Sequence, residues 1–113
     1  MGLITGTVGR KNATSTALET NRVVKATPGT AYFVTVASTL GSAQFIQFHD
    51  ATALPADTAV PVWVANIPAN GNLNIPLSIY GRVFANGIVV CNSTTAATKT
   101  IGAANCFFDI QYQ

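Results

Sequence analysis

The stretch Leu73-Asn74-Ile75-Pro76-Leu77-Ser78-Ile79 alternates apolar and polar residues without a break. Side chains on an extended strand point to opposite faces in turn. This period of two therefore puts Leu73, Ile75, Leu77 and Ile79 on a core-facing side and Asn74, Pro76 and Ser78 on the other. Pro76 cannot donate a ladder hydrogen bond, which places the strand at a sheet edge or a bulge. Pro68-Ala69-Asn70-Gly71, just before it, has the composition of a turn.

The same period runs through most of the chain. The spacing predicts strands over residues 22–27, 31–38, 44–50, 60–67, 82–84, 88–92 and 106–112. Val60, Val62 and Val64 share one face of their strand, and Pro61 favours an edge position. Gly87-Ile88-Val89-Val90-Cys91 is apolar without alternation, as expected of a central strand covered on both faces. Asn86-Gly87 supplies the residues a type I′ hairpin turn requires. Ala51–Ala59 and Ser93–Thr100 read as loops. No segment carries a 3.6-residue period and no internal repeat is evident. About eight short strands at even spacing predict an all-β fold, an antiparallel β-sandwich with the jelly roll as one form of it. Residues 1–21 read as an N-terminal arm or irregular lead-in, with a short strand at Leu3–Val8, and residues 22–113 as the sandwich domain.

At 113 residues the chain suits one domain that holds its own core. Charged residues make up 9% and hydrophobic residues 49%. Ordinary soluble domains are about 25% charged, so much of this surface must be Thr, Ser, Asn, Gln and Ala, or be covered by other subunits. The net charge of +2 is uneven, with Arg10, Lys11, Arg22 and Lys25 against Glu19 in residues 1–25. That is too sparse for a nucleic-acid stripe and fits either solvated side chains or docking to an acidic partner surface. No apolar run is long enough to span a membrane, and no secretory signal pattern opens the chain. Cys91 and Cys106 lie in strand-like segments with no metal-ligand spacing, and two buried free thiols are the expectation.

The search for chemistry gives no catalytic, cofactor or metal site. His49 stands beside Asp50, but adjacent strand residues face opposite ways, so the carboxylate is poorly placed to orient the ring. Asp50 and Asp57 could share a loop cation, yet the converging ligands that such a site needs are missing. No glycine-rich phosphate motif occurs. The chain is expected not to be an enzyme. The interface candidates are the basic Arg10, Lys11 and Arg22 and the aromatic Trp63 and Tyr80. Exposed Trp63 or Tyr80 beside Asn or Asp would suit a glycan.

Tyr80-Gly-Arg-Val-Phe-Ala-Asn-Gly-Ile-Val-Val-Cys-Asn-Ser-Thr-Thr-Ala-Ala-Thr-Lys-Thr100 resembles the C-terminal half of small virion-associated proteins of tailed bacteriophages. Phe45-Ile46-Gln47-Phe48-His49-Asp50, Leu54-Pro55 and Ile67-Pro68 fit the same resemblance, which covers residues 31–113. It implies a short β-sandwich that decorates or cements a capsid, and the basic N-terminal arm is then expected to dock the subunit on the shell together with its low-charge surfaces. Its partners would be the major capsid protein and copies of itself, as a homo-oligomer, in particular a trimer. Its place would be the virion, assembled in the host cytoplasm. A tail-fibre tip or receptor- and glycan-binding module is the alternative.

Overall fold

The computed structural model describes residues 10–113. The described residues form nine strands and no helix: β1 (Lys11–Thr14), β2 (Asn21–Lys25), β3 (Gly29–Ser38), β4 (Gln44–Asp50), β5 (Trp63–Ile67), β6 (Asn72–Pro76), β7 (Arg82–Phe84), β8 (Ile88–Ser93) and β9 (Cys106–Tyr112). All pairings are antiparallel. One sheet has the order β1-β9-β3-β6, with short β7 also on β3, and the other β2-β8-β4-β5. The first strand thus lies beside the last, and nearly every connection passes from one sheet to the other. This is the double Greek-key winding of a jelly-roll sandwich.

The core lies between the sheets. Val34 and Val36 of β3, Ile46 and Phe48 of β4, Ile88 and Val90 of β8, and Phe108 and Ile110 of β9 are all buried. These residues sit two apart on their strands, so the alternation seen in the sequence is the inward face of each sheet. Phe48 packs tilted against Phe84 and Trp63, with ring centroids 5.7 and 5.4 Å away. Full burial of each such ring contributes about 1.5–3 kcal/mol, and each tilted pair about 0.5–1.5 kcal/mol more. As expected of a central strand, β8 is buried along its whole length. β5 and β6 are the edges that Pro61 and Pro76 indicate.

Three local expectations need correction, and one shared strand face is assigned to solvent. Lys11–Thr14, read as part of an irregular arm, is an edge strand paired with Asp109–Tyr112. Three of its four residues are polar and exposed and only Ala13 turns toward the core, so no apolar period marks it; the strand is set mainly by its backbone pairing with β9. Ile79 is 85% exposed rather than inward. β6 stops at Pro76, and Ser78, at φ 141°, turns the chain before the alternation can continue. Val60, Val62 and Val64 share a face, but it is the solvent side; Trp63, Ala65 and Ile67 turn inward. Asn86-Gly87 forms no hairpin turn. β7 and β8 belong to different sheets, and neither residue has a positive φ. Instead the Asp50 carboxylate accepts hydrogen bonds from the backbone N–H groups of Ala85, Asn86 and Gly87 at 3.2, 2.8 and 3.3 Å. Gly87 is required by proximity: a Cβ there would lie 2.3 Å from the Ala51 carbonyl oxygen. The short strand expected at Leu3–Val8 lies outside the described residues.

Candidate assembly surface

The outer faces of the two sheets differ. On the β2-β8-β4-β5 sheet, Gln47, His49, Val89, Cys91 and Ser93 point away from the core yet are buried. The β4–β5 loop (residues 51–62) and the β8–β9 loop (residues 94–105) form a roof over them. The loops join where Thr58 N–H donates to the Lys99 carbonyl and Lys99 N–H to the Ala59 carbonyl, both at 2.8 Å. Gln47 Nε2 reaches the carbonyls of Thr95, Ala96 and Thr98 at 2.9, 3.2 and 3.2 Å. Its Oε1 lies 3.0 Å from His49 Nε2 and accepts from it when that nitrogen carries the proton. Lys99, 3% exposed, sends its ammonium to Asp57 Oδ1 at 2.5 Å. A second polar nest anchors the far end of the same loop: Gln44 Nε2 and Asn92 Nδ2 both donate to Asn105 Oδ1.

The environment sets the titration of these groups. Burial, and then the Lys99 charge, lower the His49 pKa below its ordinary 6.5. The Lys99 ammonium, with the Ile101 N–H, holds Asp57 below the usual carboxylate value. Asp50 is lowered by the Asn86 N–H foremost, with Gly87 and Ala85 adding to it. Burial pushes the Cys91 thiol up to about 11 and raises Cys106 as well. Cys91 Sγ and His49 Nε2 both approach Gln47 Oε1. A buried thiol with that pKa carries almost no thiolate at neutral pH, so the pair has no ready nucleophile. Both cysteines are free. Cys91 lies under the roof and Cys106 in the core, on opposite faces of the β2-β8-β4-β5 sheet. The described residues enclose no pocket and gather no three metal-ligating side chains.

Among the described residues, no loop roofs the outer face of the β1-β9-β3-β6 sheet. A row of registered residues crosses all four strands: Thr14, Asp109, Thr35 and Asn74. Thr14 Oγ1 donates to Asp109 Oδ1, and Thr35 Oγ1 to Asn74 Oδ1, both at 3.0 Å. The flanking rows bring Phe107, Ala37 and Asn72 on one side and Gln111, Phe33 and Pro76 on the other. Asp109 is the only charge in these three rows. The face is nearly neutral, with exposed Phe107 among amides and hydroxyls.

The interface candidates fall into separate places. Arg10 stacks over the Tyr32 ring, 3.9 Å from its centroid. Gly81 packs so closely on that ring that a Cβ would lie 2.7 Å from it, which brings Tyr80 to the same corner. Tyr80 is 85% exposed. Lys11 is exposed at the start of β1. Arg22, on the opposite sheet, is engaged by Glu19 in a two-point ion pair at 3.0 and 3.1 Å. Trp63 packs half-buried against Phe48, which leaves little of its ring for a glycan to stack on. Composition indicated a neutral surface, but not that the neutrality is concentrated on one sheet face. Strand register was the missing information.

No family model matches the chain, and no curated protein matches it. Among solved structures it is similar to the coat protein of Tobacco streak virus, at 10% identity and a TM-score of 0.43, over 91% of this chain and 86% of that one. At that identity no side-chain role carries across.

Proposed function

We propose that this chain is a virion structural protein, a decoration or cement subunit that seats on a capsid shell through the open face of the β1-β9-β3-β6 sheet. The nearly uncharged, unroofed face centred on the Thr14–Asp109–Thr35–Asn74 row carries the reading. Interface centres are depleted in charge and keep aromatic anchors, and Phe107 is such an anchor. The opposite sheet spends its loops on shielding its own outer face, so the two faces are not equivalent. The partners on this reading are the major capsid protein and other copies of the chain, the trimer being the proposed state. The likeness of residues 31–113 to virion proteins of tailed phages agrees with it. Because Lys11–Thr14 belongs to the sheet, the proposed docking arm narrows to the residues that precede β1, with Arg10 at its root.

Co-sedimentation of the purified chain with undecorated shells tests the proposal. Wild type should pellet with the shells. Phe107→Lys, on an exposed side chain, should keep the fold and weaken binding roughly tenfold or more. Equal binding by both proteins would remove this face from the contact. No binding by the wild type would remove the decoration role. A tail-fibre or glycan-binding role would rest on exposed Tyr80 alone, since Trp63 is turned toward the core.

A further inference from the structure

Six of the nine large hydrophobic side chains exposed among the described residues fall on two neighbouring strand edges. Val60, Val62 and Val64 lead into and along β5, while Ile79, Tyr80 and Val83 lie on the β6–β7 connection and β7. β5 is the edge of one sheet, and β6 with β7 lies at the edge of the other. Arg82 ties the two edges together, its Nη2 donating to the Val62 carbonyl at 2.7 Å. Behind them, Phe48 links Trp63 to Phe84, so both edges rest on one aromatic cluster. Ile79 and Tyr80 are each 85% exposed, Val83 77% and Val60 72%.

We infer that this lateral edge is where a second copy of the chain packs. The six side chains expose roughly 700 Å², above the largest patch of a typical monomer and close to the about 800 Å² that each partner contributes to a standard interface. The surface is compatible with itself because Arg82 is its one charge, and that guanidinium is already engaged. A partner of a different kind is selected by complementary charge, and this edge offers no pattern for it. The edge also meets neighbours without extending the sheet. Pro61 lacks an N–H, and the Val62 carbonyl is taken by Arg82, so strand addition is blunted and side chains make the contact. The inference rests on the proposed seating: with the β1-β9-β3-β6 face down on a shell, the β5/β7 edge points sideways toward the next subunit.

Sedimentation velocity on the full chain tests it without any shell. Wild type should associate in a concentration-dependent way. The Ile79→Glu/Val83→Glu double variant should lose that association, with the self-association constant weakened at least roughly tenfold. At a concentration where wild type is monomeric its melting temperature should be unchanged, because both side chains are in solvent. Phe107→Lys should associate like wild type, which separates this edge from the shell-binding face. A double variant that associates as wild type does would overturn the assignment, and so would a wild type that stays monomeric. A monomeric wild type that begins to associate once residues 1–9 are removed would assign the edge to the chain's own N-terminal segment instead. A monomeric double variant that still binds shells upholds this inference and leaves the seating intact.

Discussion

Replacing Gln47 by Leu probes the roof at its centre. The side chain is fully buried on the outer face of β4, with three loop carbonyls within reach of its Nε2 and His49 Nε2 beside its Oε1. An amide nitrogen has two hydrogens, so it satisfies two of those carbonyls well at any moment. Leu fills similar volume and keeps the packing, but it strands those acceptors and the His49 donor. Each lost bond costs about 0.5–1.5 kcal/mol net, and more where the partner stays dry, so the total comes to about 2–4 kcal/mol. For a domain of this size that corresponds to a fall in melting temperature on the order of 10–20 °C. Hydrogen exchange followed peptide by peptide should show the protection of residues 94–101 falling first, with β3 and β9 opening only globally. A Leu variant as stable as wild type, with unchanged exchange in that loop, would refute the view that this one amide holds the roof down.

Four further outcomes follow from the same structure. Stability should fall as pH drops below 6.5, because the unfolded chain takes up a proton on His49 before the folded one does; the loss ends below the folded pKa, and His49→Gln should flatten it in denaturant titrations across that window. A second loss should begin as pH falls through 3.8, where the unfolded chain protonates Asp50 and Asp57 while the fold still holds both ionised; it ends below their lowered folded values. Asp50→Ala should cost about 1 kcal/mol after allowance for its exposure to water, and hydrogen exchange should quicken at Ala85, Asn86 and Gly87 while the sheets stay protected. Cys91 and Cys106, both buried, should resist a thiol reagent in the native protein and react together on denaturation; rapid native labelling of Cys91 would mean the roof is open.

Most inward strand faces were legible in the sequence from alternation, although the unbroken run at residues 73–79 stops being a strand at Pro76 and leaves Ile79 in solvent. Gln44–Asp50, Arg82–Phe84 and Cys106–Tyr112 match the expected limits, because each buries every second residue against the opposite sheet. The roof was not legible. Alternation assigns Gln47 and His49 to an outward face, and polar residues there read as solvated; only the long-range joining of the 51–62 and 94–105 loops buries them. Lys99 gave no signal either, since a lone cation in a Thr- and Ala-rich loop normally points to water. Asn86-Gly87 had the chemistry of a tight turn, but a distant carboxylate and a change of sheet decided its conformation. Arg22 and Trp63, chosen by residue type, are partly spent on Glu19 and Phe48, whereas the neutral face emerged only once register aligned Thr14, Asp109, Thr35 and Asn74.

The most direct measurement is electron cryo-microscopy of the particle at side-chain resolution, with this chain placed in the map. The account expects copies arrayed over the capsid shell, with Phe107 and the Thr14–Asp109–Thr35–Asn74 row turned toward the subunits beneath. Finding the chain only at the tail, or attached to the shell with that face in solvent, would contradict it.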